Sequence, residues 1–101
     1  MSRLVVLTKN LMDASRVQSA VPEAVVARTL DDDALTGADL ILLDLNSGID
    51  PVDVVAIGPP VVAYGPHVDR DALDAAVAAG CNDALPRSRI FRRLPDLLDR
   101  P

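Results

Sequence analysis

The chain is poor in the residues that carry most specialised chemistry. It has one cysteine, Cys81, which excludes an internal disulfide and any cysteine-cluster metal site. It has one histidine, no tryptophan, one phenylalanine and one tyrosine, so the core must be aliphatic and no aromatic ladder for single-stranded nucleic acid can be built. No apolar run approaches the length needed to span a membrane. The start, Met1-Ser2-Arg3, leads into only four apolar residues before Thr8 and Lys9, which is no signal-peptide pattern, and a cytoplasmic location is the default expectation. A net charge of −5 argues against nonspecific nucleic-acid binding by the whole molecule.

What is present is a single domain's worth of chain, 101 residues, half of them hydrophobic and rich in Ala, Val and Leu. Leu40-Ile41-Leu42-Leu43 is a short run, apolar on all sides, with an aspartate at each end. That pattern suits a strand buried on both faces in the middle of a parallel sheet, with Asp44 at its carboxyl end. Similar short runs lie at Leu4–Leu7, Ala24–Ala27, Val61–Tyr64 and Asp83–Leu85. Between them the pattern predicts helices. Asn10 caps one over Leu11–Ala20, with Leu11, Met12, Val17 and Val21 at helical spacing and Pro22 as its stop. Asp31–Leu35 allows little more than a turn before Gly37. Asp50-Pro51 opens a short helix with Val52, Val54, Val55 and Ile57. Asp69 caps Arg70–Ala79, whose stripe is Ala72, Leu73, Ala76 and Val77, and Gly80 ends it. Ser88 can cap a last helix bearing Ile90, Phe91, Leu94, Leu97 and Leu98, which Pro95 should kink or divide. Strand and helix alternate five times, which predicts an α/β fold with a parallel sheet and helices on both faces.

Asp39-Leu40-Ile41-Leu42-Leu43-Asp44-Leu45-Asn46, Pro60-Val61-Val62-Ala63-Tyr64, and Asp71-Ala72-Leu73 through Ala78-Ala79-Gly80-Cys81-Asn82-Asp83 together resemble response-regulator receiver domains. The resemblance covers most of the chain. It implies a flavodoxin-like three-layer sandwich over 1-101, with a five-stranded parallel sheet of order 2-1-3-4-5 and shortened second and third helices. It places Asp44 at the phospho-acceptor position. The acidic pair that would hold Mg²⁺ falls at Leu7 and Thr8, the hydroxyl residue after strand four at Gly65, the lysine after strand five at Arg87, and the following proline at Ser88. One carboxylate alone binds a divalent cation weakly, so phosphorylation is not expected, and Asp44 should instead cap a loop or pair with Lys9 or Arg87.

The expectation is therefore a stand-alone pseudo-receiver, not an enzyme, without cofactor or metal, working through protein–protein contacts. Arg89, Arg92 and Arg93, beside Arg87, make the strand-five exit and last helix the candidate partner face. In receiver domains the helix before strand five, that strand and the last helix form the usual dimer or partner face. The resemblance thus points to another protein, or to a second copy of the chain, with no nucleic acid or membrane as partner. Two alternatives remain. One is a small ligand-binding domain or enzyme using the carboxyl edge of the sheet, with Thr8, Lys9, Asp44, Gly65, His67 and Arg87. The other is a true receiver phosphorylated at Asp44. Cys81, just past the Gly80 stop, is expected to be a buried, inert thiol.

Overall fold

In a computed structural model, which describes residues 3–66 and 68–99, the five apolar runs form one sheet of parallel strands. The strands are β1 (Leu4–Leu7), β2 (Val25–Ala27), β3 (Leu40–Asp44), β4 (Val61–Gly65) and β5 (Asp83–Pro86), in the order β2-β1-β3-β4-β5. This is the expected flavodoxin-like arrangement. β3 is the middle strand and all five of its residues are buried, as its lack of a polar face requires.

Alternation along the strands divides the core into two layers. Leu4, Val6, Leu40, Leu42, Val62, Tyr64 and Leu85 pack on one side of the sheet. Val5, Leu7, Ile41, Leu43, Val61 and Ala63 pack on the other. The helices α1 (Leu11–Ala20) and α4 (Arg87–Arg92) cover the first side, contributing Val17 and Ile90. The helices α2 (Pro51–Val55) and α3 (Arg70–Ala78) cover the second, through Val54 and Ala76. A buried leucine such as Leu42 is worth roughly 1.5–3 kcal/mol, so these two layers are the main support of a small domain.

The caps lie where the sequence places them. Asn10 accepts hydrogen bonds from the Met12 and Asp13 amides, Asp50 from Val52 and Asp69 from Ala72. The second connection is a single 3-10 turn, Asp33–Leu35, and α2 is only five residues long. Both shortened elements are thus as expected. At Pro95 the last helix does divide: α4 stops at Arg92 and the chain continues as a 3-10 segment, Leu94–Asp99.

Three expectations are corrected. Ser88 is not a cap, because α4 starts one residue before it, with Pro86 in the cap position and no side-chain cap. The inward face of α1 is Asp13, Ala14 and Val17, while Leu11 and Met12 are exposed. The inward face of α3 is Leu73 and Ala76, and Val77 is exposed. Periodicity alone could not distinguish these helix faces, because adjacent apolar residues straddle the boundary between core and solvent.

Gly80 ends α3 with φ of +113°, and a β-carbon there would sit 3.0 Å from Val55 Cγ1. Gly80→Ala should therefore destabilise the fold by roughly 1–3 kcal/mol, read as a lower urea midpoint at unchanged slope.

Candidate functional site

In a parallel sheet every strand ends on the same edge, and side chains alternate between its faces. Thr8, Asp44 and Tyr64 follow the alternation of Val6, Leu42 and Val62, so all three belong to the face covered by α1 and α4. The register pairs Asp44 with Tyr64. The result is a buried polar cluster at the carboxyl edge.

The Thr8 hydroxyl donates to Asp44 Oδ2 at 2.7 Å, and the Asn46 amide donates to Asp44 Oδ1 at 2.9 Å. Both carboxylate oxygens thus have a partner, and Asp44 and Thr8 are buried. Thr8 Oγ1 also accepts from the Asn10 amide at 3.1 Å, which links the end of β3 to the cap of α1. Asp44 caps a 3-10 turn over Leu45–Ser47, as one of its expected roles required. The expected charge partners are corrected. Lys9 is exposed, and Arg87 makes its ion pair with Asp13, not with Asp44.

Asp13 is the residue that sequence reasoning missed. It is fully buried on the inward face of α1. Both of its oxygens accept from the Arg87 guanidinium, and Oδ2 also accepts from the Tyr64 hydroxyl at 3.0 Å. Phe91 closes the cluster: its ring meets Tyr64 edge-on at 5.5 Å, and the Arg16 and Arg87 guanidinium carbons lie 4.2 and 5.1 Å from its centroid. A signal was available. Asp13 lies one helical turn before Val17, so a core-facing Val17 carries a carboxylate with it, and a buried carboxylate needs a cation.

These contacts set the electrostatics. The hydrogen bonds from Arg87 to Asp13 hold the guanidinium's pKa above its usual value. Burial, reinforced by the negative charges of Asp44 and Asp13, pushes the Tyr64 phenol far above its usual value of about 10. Burial also raises the Cys81 thiol, in keeping with an inert core cysteine.

The remaining edge residues do not join the cluster. Gly65 faces Leu45, whose Cδ1 would lie 3.4 Å from a β-carbon at that position. His67 lies outside the described residues. Arg89 and Arg92 are exposed and Arg93 half-buried, on α4 or just past it. Among the described residues no three His, Cys, Asp or Glu side chains come together as a metal site. At the end of β1 the Thr8 hydroxyl, not a carboxylate, meets Asp44, while Leu7 packs on the other side of the sheet, and both oxygens of Asp44 are hydrogen-bonded.

Two outcomes follow. Asp13→Ala leaves Arg87 and Tyr64 without their partner and should cost roughly 2–4 kcal/mol in chemical denaturation, less than for a fully buried pair because the Arg87 side chain is 35% exposed. Tyr64 is the sole tyrosine, so its ionisation can be followed by ultraviolet absorbance. Its phenol pKa is raised in the fold, so above about pH 10 the unfolded chain loses a proton that the native state keeps. Stability should fall as pH rises from there, with phenolate absorbance appearing together with unfolding; a phenolate signal near pH 10 in the folded protein would contradict this burial.

No protein-family model matches the chain, and no curated protein is significantly similar in sequence. Solved structures are similar in shape. A response regulator from Hahella chejuensis has a TM-score of 0.78 at 18% identity, over 98% of this chain and 93% of its own. A phosphorylated cyanobacterial phytochrome response regulator has a TM-score of 0.75 at 21% identity, over 95% and 90%. A CheY-like protein (tadZ) from Pseudomonas aeruginosa has a TM-score of 0.67 at 22% identity, over 93% and 99%. The chain has the fold of response-regulator receiver domains.

Proposed function

We propose that this chain is a signalling domain of receiver fold that has given up Mg²⁺-dependent aspartyl phosphorylation and acts by binding another protein. The observation that carries the proposal is that Asp44 and Arg87 are both engaged by other groups of the fold. The Asp44 carboxylate is buried and bonded to Thr8 and Asn46. Arg87, the cation at the position of the receiver lysine, is committed through two hydrogen bonds to Asp13. An aspartyl phosphate needs a free carboxylate oxygen as nucleophile, a metal to offset the incoming charge and a mobile cation to hold the product. Around Asp44 both carboxylate oxygens are already hydrogen-bonded and Arg87 is held by Asp13, which supports this reading.

Binding without chemistry directs attention to the surface. The basic residues Arg89 and Arg92 are exposed on α4, in a chain whose net charge is −5. Such a local reversal of sign favours an acidic partner and steers its approach. No helix among the described residues is long and apolar enough to cross a membrane.

The test is a titration of the isotopically labelled domain with Mg²⁺ and beryllofluoride, followed by amide spectra. No saturable shift is expected at Asp44, Leu45 or Gly65. Saturable shifts there that vanish in Asp44→Asn would show a working phospho-acceptor and end the proposal.

A further inference from the structure

The two helical layers carry opposite surface chemistry. On α1, Leu11 is 72% and Met12 75% exposed. Arg16 follows Met12 by one helical turn and rests on Phe91 of α4, and the same helix exposes Arg89 and Arg92. The one carboxylate on these two helices, Asp13, is buried and bound to Arg87. Asp96, on the 3-10 segment that follows α4 and packs in the same layer, is exposed and sets a free carboxylate against Arg16, Arg89 and Arg92 there.

Across the sheet, α3 is the reverse. Asp69, Asp71 and Asp74 are exposed against a single cation, Arg70. They are accompanied by Val77, 51% exposed, and by Val68, 79% exposed, just before the cap. Asp71, Asp74 and Val77 are spaced by three, which puts each next to the following one on the helix surface.

We infer that α3 of a second copy docks on the α1–α4 face, so that the chain associates head to tail. This rests on the proposed binding role and names its partner. Both faces offer exposed aliphatic side chains, and their charges are opposite. They lie on opposite sides of one sheet, so a single molecule cannot bring them together. The contact is heterologous: it leaves one unused face at each end, and assembly continues unless the rotation closes a ring. The overall charge of −5 opposes the approach of two copies, but at physiological ionic strength fields are screened beyond about 8 Å. At contact the local Arg–Asp complementarity then outweighs the distant repulsion.

Sedimentation velocity from about 10 µM to about 1 mM should show wild-type mass rising with concentration. Two variants remove one face each without reversing charge: Arg89→Ser/Arg92→Ser, and Asp71→Ser/Asp74→Ser/Val77→Ser. All five positions are exposed, so the fold should be kept. Each variant alone should associate at least about tenfold more weakly than wild type. An equimolar mixture retains one intact face of each kind and should form a 1:1 dimer that does not grow. A wild-type monomer throughout the range overturns the inference, as does a mixture that stays monomeric. So does full dimerisation of the α3 variant with loss only in the arginine variant, which would mark a symmetric contact. The beryllofluoride titration is independent of all these results and by itself judges the loss of phosphorylation.

Discussion

A carboxylate shut away from water on a helix face that is otherwise apolar has to be matched by a cation, and Arg87 supplies it to Asp13. That pair ties the start of α1 to the exit of β5, two elements 74 residues apart in the chain. Tyr64 adds a hydrogen bond from the neighbouring β4, and Phe91 packs over the group from α4. Removing one partner of such a pair leaves the other desolvated and alone, which is the costly case for buried charge. α4 has no side-chain cap and only six residues, so the Arg87 contact is also part of what holds this helix against the sheet.

The same pair bears on Asp44, because Arg87, a cation at the same carboxyl edge, is held by Asp13. Thr8 uses its hydroxyl to satisfy Asp44. What would be a reactive edge in an α/β sheet is here a closed hydrogen-bond network running from Asn46 through Asp44 and Thr8 to the cap of α1. No buried side-chain polar atom among the described residues lacks a partner. On the helical surfaces charge is unevenly divided between the two layers.

Strand positions, the caps of α1, α2 and α3 and the division at Pro95 were legible in the sequence, because each depends on residues close together in the chain. Four or five apolar residues between polar ones specify a buried strand; Asn10, Asp50 and Asp69 specify helix starts. Asp44 was legible as the polar end of β3 for the same reason. The helix faces were less legible. Leu11 and Met12 looked like core residues by spacing, yet rotation of α1 by part of a turn places Asp13 and Ala14 inside instead. That rotation sets Asp13 against Arg87 and Tyr64, partners far away in the chain.

By itself, then, the sequence determined the alternation of strands and helices, the parallel sheet that such alternation implies, and the residues at the carboxyl edge. These follow from periodicity, capping and turn chemistry acting over a few residues. Tertiary structure alone decided that Asp13 would be the partner of Arg87, that Thr8 would occupy Asp44, and that acidic and basic surfaces would fall on opposite layers. Each of those depends on which side chains meet across the sheet, and burial makes the meeting energetically decisive.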